Sequence, residues 1–290
     1  KVGIVCTARK VDRDDLEEGI ALLEACGLEP VLGKTIGASD NQYGGSDALR
    51  AADLQAMLDD EEINAIWCAK GGYGTVRIID EINFYKFIKY PKWIIGYSDV
   101  TVLHSQIHKL GFETIHGVMP VGIGRNTAVA KQTLENAWFG KPVHYHIESA
   151  PLNRLGTAKG ELVGGNIPIL YSLCGSHSAI DTTNKILFLE DLDEYLYHVD
   201  RMMVNLKRNG MLRNIRGLVV GGLTSMHDNS TPFGKTAQEI VMDAVEEYDY
   251  PVCFDFPAGH LKDNRALILG RSASLEVNER GAKLYFDQLE

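Results

Sequence analysis

The chain has 290 residues, 45% of them hydrophobic, and its 29 Lys and Arg against 39 Asp and Glu give a formal net charge of -10. This composition predicts a globular protein of one large or two ordinary domains and excludes a disordered or low-complexity chain. The acidic balance, without a stripe of Lys and Arg, argues against a nucleic-acid partner. No apolar stretch reaches the ~18 residues that a membrane span requires.

The five cysteines form no C-x-x-C pair, and most lie in apolar runs that are typical of buried strands or helices. They therefore indicate reduced core residues of a cytoplasmic protein. Lys1 already stands inside a strand-like run, so we expect the natural chain to begin before it.

The first 140 residues alternate short apolar runs with helical patterns, which predicts an α/β domain with a doubly wound parallel sheet. Strands are expected at 2–6, 30–32, 65–69, 93–97 and 114–116, and helices at 14–26, 47–59, 76–82, 100–110 and 128–139. Ligands of such sheets bind at the carboxyl ends of the strands, where both Gly71 and Ser98 fall.

Residues 141–158 are polar and interrupted by Pro and Gly, and we interpret them as a linker to a second domain over 159–290. This smaller domain is predicted to contain a mixed or barrel-like sheet with helices. Its expected strands are 185–189, 217–223, 251–256, 266–269 and 274–277, and its expected helices are 199–209 and 235–248. Met202, Met203 and Leu206 stand at helical spacing and are predicted to be core residues.

The segment from Trp93 to Thr101 predicts a serine on a sharp strand-to-helix turn. An apolar run stops at Gly96, and Asp99 follows Ser98 where a helix N-terminus favours negative charge. This pattern resembles the nucleophile elbow of serine hydrolases, with Gly-x-Ser-Asp in place of Gly-x-Ser-x-Gly. A serine N-cap after a buried strand has the same pattern, so both interpretations stand at this point.

A nucleophilic serine needs a base, and the base needs an orienting acid. His260 follows a Pro/Gly-rich loop at a predicted strand end, which makes it a candidate base or a solvated loop histidine. Glu190 is the first polar residue after a buried-type strand and is the candidate acid. Asp191, Asp193 and Glu194 compete with it for the same role.

Acyl transfer also needs N–H donors for the developing oxyanion. The amide of Asp99 is one candidate, and the other is an amide in the glycine loop 70–74, which follows a strand. That loop fits neither G-x-x-x-x-G-K-[ST] nor G-x-G-x-x-G, so no nucleotide cofactor is expected. His144 and His146 would lie on one face of a strand as a metal pair, but no further ligand at suitable spacing completes it, and no metal is expected.

Taken together, these segments resemble the serine LD-carboxypeptidase family, also called murein tetrapeptide carboxypeptidases, which includes the microcin C immunity proteins. The motifs fall in order over nearly the whole chain: Lys-Gly-Gly-Tyr-Gly-Thr-Val-Arg at 70–77, Ile-Gly-Tyr-Ser-Asp-Val-Thr at 95–101, His-Gly at 116–117, Gly-Glu-Leu-Val-Gly-Gly-Asn at 160–166, Phe-Leu-Glu-Asp at 188–191, Asp-Arg-Met at 200–202 and Phe-Pro-Ala-Gly-His at 256–260.

The resemblance implies a nucleophile-bearing N-terminal domain and a C-terminal domain that supplies acid and base. Ser98 is then the nucleophile, His260 the general base and Glu190 its orienting acid, while the amides of Gly71 and Asp99 form the oxyanion hole. Members of the family are cytoplasmic, metal-free and often homodimeric, and they release terminal D-alanine from the L,D-bond of murein tetrapeptides.

Two departures from the family pattern bear on the substrate. Lys70 replaces an arginine before the glycine loop, which is harmless if only backbone is used. Residues 173–177 lack the tryptophan with which immunity-type members stack on a nucleobase, which favours the murein recycling enzyme. The alternative substrate is a peptidyl-nucleotide antibiotic, which the enzyme would hydrolyse by the same mechanism. From another class of function, a non-catalytic two-domain small-ligand binding protein also remains open.

Overall fold

The computed structural model describes residues 1–288 and contains two sheets with helices packed around them. The first sheet has six strands in the order β11-β5-β4-β3-β1-β2. These are β1 (Val2–Val5), β2 (Pro30–Leu32), β3 (Ala65–Cys68), β4 (Trp93–Gly96), β5 (Thr114–His116) and β11 (Leu267–Leu269). The first five run parallel, as the apolar runs predict. Strand β11 pairs antiparallel with β5, so a late segment of the chain returns to the first sheet before two further strands complete the second sheet.

Five helices belong to the first part of the chain: α1 (Glu17–Ala25), α2 (Asp47–Asp59), α3 (Tyr85–Lys89), α4 (Thr101–Lys109) and α5 (Ala128–Trp138). Side-chain caps fix where two of them begin, because Ser46 accepts the N–H of Leu49 and Thr127 accepts the N–H of Ala130.

The predicted helix over 76–82 is wrong. Two short 3-10 turns, Thr75–Arg77 and Ile79–Glu81, stand there instead. The N–H of Thr75 is bonded to Oδ2 of Asp99 at 2.9 Å, so a tertiary contact ties down the start of this segment. Its turns close through i to i+3 bonds, which are too tight for an α-helix.

The second sheet has seven strands in the order β10-β9-β8-β7-β12-β13-β6. These are β6 (His144–Glu148), β7 (Gly156–Asn166), β8 (Ile186–Leu192), β9 (Gly217–Thr224), β10 (Val252–Cys253), β12 (Ser272–Asn278) and β13 (Gly281–Phe286). Strands β7 to β10 pair parallel, and β7, β12, β13 and β6 pair antiparallel. The sheet is therefore mixed. Of the two predicted alternatives, a mixed or a barrel-like sheet, the structure over residues 1–288 has the first, and the sheet does not close into a barrel.

Three helices pack on the second sheet: α6 (Ile167–Leu173), α7 (Leu196–Arg208) and α8 (Ala237–Ala244). Met202, Met203 and Leu206 of α7 are fully buried in one cluster with Leu187 and Leu189 of β8. Their helical spacing places them on one face, and their prediction as core residues is confirmed.

Close contact between α4 and β7 brings the two sheets together next to Ser98. The N–H of Asn166 bonds Oγ1 of Thr101 at 3.1 Å. A Cβ on Gly165 would stand 2.5 Å from the same oxygen, so only glycine permits this approach. Asn166 is paired in register with Glu190, and the junction therefore carries the end of β8 towards the start of α4.

Candidate active site

Ser98 occupies a sharp turn between β4 and α4. Its φ of +63° lies in the left-handed region, which costs a non-glycine residue roughly 1–2 kcal/mol. Gly96, two residues earlier, has a φ of +156° that other residues rarely adopt. A 3-10 turn, Ser98–Val100, leads directly into α4. The half-buried Ser98 is thus held in strained backbone at a strand end, as in a nucleophile elbow.

Two buried side chains hold this turn in place. Oδ2 of Asp99 accepts the N–H of Thr75, and burial raises the pKa of Asp99. Nε2 of His104 lies 2.9 Å from the carbonyl oxygen of Gly96, and its Nδ1 lies 2.8 Å from Oγ1 of Thr114. Burial lowers the pKa of His104 to about 4, so its ring is neutral at pH 7. The Asp99 carboxylate therefore braces the turn, and its backbone amide remains the candidate donor.

Gly71 stands directly against Ser98. A Cβ built on Gly71 would lie 2.9 Å from Cβ and 3.1 Å from Oγ of Ser98, and 3.5 Å from Cε of Met119. The loop is supported from behind by Arg50, which is almost fully buried and donates to the carbonyl oxygens of Gly74 and Thr7 at 2.9 and 2.6 Å. Only a residue without a side chain lets the loop backbone come this close to the serine.

Glu190 and His260 meet at the end of β8. Oε2 of Glu190 lies 2.6 Å from Nδ1 of His260 and accepts its backbone N–H at 3.1 Å. Glu190 is fully buried, whereas the His260 side chain keeps 14% of its surface exposed. Gly259, with a φ of +103°, would place a Cβ 2.6 Å from Oε2 of Glu190, so the loop can approach the acid only through glycine.

The three competing carboxylates have other partners. Oδ1 of Asp191 accepts the N–H of Leu192 at 2.8 Å, and burial raises the pKa of Asp191 to about 8. Asp193 lies 2.5 Å from Nε2 of His227, and Glu194 lies 2.6 Å from Nδ1 of His198. Glu190 is the one candidate acid of these four that contacts His260.

Tyr97 connects the elbow to the histidine loop. Its ring centroid lies 4.9 Å from that of His260 and 5.8 Å from that of His116, with tilted ring planes. Burial raises the pKa of Tyr97 to about 12, so its phenol is neutral. His116 is fully buried between Tyr97 and Phe188, and burial holds its pKa well below the usual range.

Sequence reasoning did not single out Tyr97, or Asn264, whose Oδ1 accepts the N–H of Gly259 at 2.8 Å. Tyr97 stands next to Ser98 in the same motif, and that position was the available signal. No sequence signal pointed to Asn264, because asparagine is common in turns and in Pro/Gly-rich loops.

The histidine pair His144 and His146 lies far along the second sheet on its edge strand β6, with ring centroids 6.3 Å apart and both side chains exposed. Nε2 of His146 lies 3.4 Å from the hydroxyl of Tyr285. Over residues 1–288, no three His, Cys, Asp or Glu side chains are grouped as metal ligands would be.

None of the helices within these residues combines the length and apolar character that crossing a membrane requires.

Two family models match the chain: the LD-carboxypeptidase N-terminal domain at residues 2–117 and the LD-carboxypeptidase C-terminal domain at residues 159–275. A probable murein peptide carboxypeptidase of Bacillus subtilis (strain 168) is 34% identical over 287 residues, covering 97% of this chain and 90% of the relative. The murein tetrapeptide carboxypeptidase of Pseudomonas aeruginosa is 28% identical over 295 residues, covering 96% and 94%.

Solved structures share the fold. The muramoyltetrapeptide carboxypeptidase from Oxalobacter formigenes superposes with a TM-score of 0.91 at 24% identity, covering 100% of this chain and 99% of the other. MccF in complex with glutamyl sulfamoyl guanosine gives a TM-score of 0.85 at 20% identity, covering 99% and 96%. Because the two family models span most of the chain and the Bacillus relative matches nearly all of it, the chain belongs to the LD-carboxypeptidase family of serine peptidases.

Proposed function

We propose that this enzyme hydrolyses the L,D-peptide bond to the terminal D-alanine of murein tetrapeptides, using Ser98, His260 and Glu190 as its catalytic triad. The observation that carries the proposal is the contact between buried Glu190 and His260 beside the strained Ser98 elbow. Relatives that match the chain over nearly their whole length carry names of murein peptide carboxypeptidases, which supports this substrate class.

In this mechanism Glu190 fixes the tautomer of His260. An ionised carboxylate 2.6 Å from Nδ1 requires a proton on that nitrogen, so Nδ1–H donates to Oε2 and Nε2 is left with its lone pair. The His260 backbone N–H donates a second hydrogen bond to the same oxygen, which fixes the position of the loop relative to Glu190. His260 is then a base whose orientation does not depend on substrate.

Acylation begins when Oγ of Ser98 attacks the carbonyl carbon of the L,D-bond and its proton passes to Nε2 of His260. The negative charge that develops on the carbonyl oxygen is met by the N–H groups of Gly71 and Asp99, each contributing roughly 3 kcal/mol in the transition state. The tetrahedral intermediate collapses, the C–N bond breaks, and His260 returns its proton to the departing amine of D-alanine.

Deacylation repeats these steps with water. A water molecule gives a proton to Nε2 of His260 and attacks the acyl carbon, and the ester bond to Ser98 breaks as His260 returns the proton to Oγ. The products are the tripeptide and free D-alanine, and the enzyme is unchanged. All groups that this mechanism needs are side chains and amides of the chain itself.

The test is to incubate the protein with a murein tetrapeptide and follow the loss of one alanine by mass spectrometry, with Ser98→Ala as the matched control. We expect the wild-type protein to release D-alanine and the variant to release none. A tetrapeptide that ends in L-alanine should remain intact. Absence of cleavage by the correctly folded wild-type protein would remove the murein assignment.

A peptidyl-nucleotide substrate is the second candidate, because MccF, whose structure holds glutamyl sulfamoyl guanosine, shares the fold. Residues 173–177 of this chain lack a tryptophan, and all three tryptophans lie in the first half of the sequence. This absence favours the murein peptide. Incubation with aspartyl sulfamoyl adenosine, followed by mass spectrometry for released aspartate, separates the two candidates.

The proposal extends to location and assembly. We place the enzyme in the cytoplasm, since its five cysteines are free thiols, three of them buried, which suits a reducing compartment. On the family resemblance we also propose a homodimer, and domains over 1–140 and 159–290 joined through 141–158, where β6 lies. Sedimentation equilibrium tests the homodimer, and limited proteolysis tests the domain boundaries.

A further inference from the structure

A cavity of about 330 Å³ opens beside His260, between the histidine loop and the first sheet. Its lining includes Tyr97, Met119, Arg125, His260 and Lys262. Among the described residues that form its wall there are two basic side chains and no carboxylate. In a protein with a net charge of -10, this local excess of positive charge favours an anionic ligand.

Arg125 is exposed and has no bonded partner for its side chain among the described residues. Over residues 1–288 its guanidinium forms no ion pair and no hydrogen bond, whereas Arg77 and Arg271 are each paired with a carboxylate. The side chain folds over Gly122, where a Cβ would overlap it. Gly122 thus lets the guanidinium rest against the cavity wall with its donors free.

Hydrogen bonds join the segment that carries Arg125 to the loop that carries His260 and Lys262. The backbone N–H of Thr127 and the side-chain amide of Asn126 donate to the carbonyl oxygen of Lys262, at 3.0 and 3.1 Å. Oγ1 of Thr127 donates to Oδ1 of Asp263 at 2.7 Å. These three bonds set the backbone position of the Arg125 segment relative to the loop that carries His260 and Lys262.

The cavity lies where the departing residue of the substrate would be. His260 gives its proton to the leaving amine, so the residue that is released lies on the side of the histidine. Met119 joins this cavity to the nucleophile, since its Cε would be 3.5 Å from a Cβ on Gly71, which itself faces Ser98. The volume corresponds to about ten waters at ~30 Å³ each, enough for one small amino-acid residue with its carboxylate.

We propose that Arg125, with Lys262 beside it, binds the terminal carboxylate of the substrate and so restricts cleavage to the last residue of the peptide. This inference rests on the proposed function. A planar guanidinium can donate two parallel hydrogen bonds to a carboxylate, and the adjacent ammonium adds charge. An internal peptide bond or a terminal amide presents no negative charge at this place, which makes the subsite a filter for chain ends.

The test compares the murein tetrapeptide with the same peptide ending in a carboxamide, for wild type, Arg125→Gln and Arg125→Lys. We expect wild type to prefer the free acid. Arg125→Gln should lower kcat/KM for the acid about 10- to 100-fold, as for loss of a charged hydrogen bond, and leave the amide within about twofold. Arg125→Lys should recover part of the preference. Arg208→Gln, at the exposed end of α7, is the matched control and should behave as wild type.

Binding of both peptides to Ser98→Ala and to Ser98→Ala/Arg125→Gln, measured by calorimetry, gives a readout that needs no turnover. Tighter binding of the acid by the first protein and equal binding of acid and amide by the second would support the subsite. If Arg125→Gln reduced acid and amide equally, or changed neither, the subsite would be refuted while D-alanine release upheld the proposed function. If the wild type neither bound nor cleaved the tetrapeptide, both proposals would fall.

Discussion

Oε2 of Glu190 contacts His260 twice, at Nδ1 and at the backbone N–H, over 2.6 and 3.1 Å. One buried oxygen therefore orients the ring and also fixes the loop on which the ring is carried. Because Glu190 belongs to β8 and His260 to a loop next to β9, the sheet itself sets the distance between these two side chains.

Replacing Glu190 should disable this pair without unfolding the protein. We expect Glu190→Gln to lower kcat by roughly 10²- to 10⁴-fold, since the histidine loses the charge that holds its tautomer and stabilises its protonated form. Asp191→Asn is the matched control, and it should keep kcat within a few-fold because Asp191 bonds Leu192 and not His260. Steady-state kinetics of the two variants shows which carboxylate supports catalysis. A dead Asp191→Asn beside an active Glu190→Gln would reverse the assignment of the acid.

Removing the Ser98 hydroxyl should stop turnover. We expect Ser98→Ala and Ser98→Gly each to lose kcat on the order of 10³-fold or more. The two should differ in stability, because alanine keeps the strained φ of +63° and glycine adopts it freely. Urea unfolding should find Ser98→Gly more stable than Ser98→Ala by up to about 1 kcal/mol. Near-normal kcat in folded Ser98→Ala would remove Ser98 as nucleophile.

A methyl group on Gly71 should block the site. A Cβ there would lie 3.1 Å from Oγ of Ser98, so we expect Gly71→Ala to lower kcat by at least about 100-fold, as loss of one oxyanion donor does. Gly37→Ala adds the same methyl where no atom lies within 4 Å, but at a φ of +80°. It should lose about 1 kcal/mol of stability and keep its kcat. Equal kcat in both variants would argue against an oxyanion role for the loop.

Acid should weaken the fold through His104. Burial lowers the folded pKa of His104 from 6.5 to about 4, so between these values the unfolded chain binds a proton that the folded chain does not. The free energy of unfolding therefore falls as the pH drops through this window, by about 3 kcal/mol in full. Urea unfolding of wild type and His104→Gln between pH 7 and 4.5 should give a shallower slope for the variant.

His144→Gln, on the exposed edge strand, is the control for this experiment and should keep the slope of the wild type. An unchanged slope in His104→Gln would show that other groups take up the protons.

The amino-acid sequence by itself determined the parallel sheet of the first domain. Its strands are runs of apolar, often β-branched residues that are buried on both faces, and such runs can be recognised without knowing their neighbours. The turn at Ser98 was also predictable, because Gly96 and the serine follow an apolar strand and precede a helix. The motifs that carry the family resemblance likewise lie in contiguous residues.

Other elements depended on partners distant in the chain. Strand β7 was not predicted, since four of its eleven residues are glycine and its first half is only partly buried. It forms because β8 and β12 pair with its two sides. Strand β11 was expected in the second domain, but it pairs with β5 of the first sheet. Residues 76–82 have a helical pattern that the bond between Thr75 and Asp99 overrides.

Which of Glu190, Asp191, Asp193 and Glu194 contacts His260 was likewise decided only by tertiary structure. Four carboxylates within five residues are equivalent by spacing. The bulge in β8 between Leu189 and Asp191 and the approach of Gly259 bring a single one of them to His260. The cavity with Arg125 and Lys262 arises in the same way, from two segments more than one hundred residues apart that hydrogen bonds join. Local patterns determine which residues are available, and packing over long sequence separations determines which of them meet.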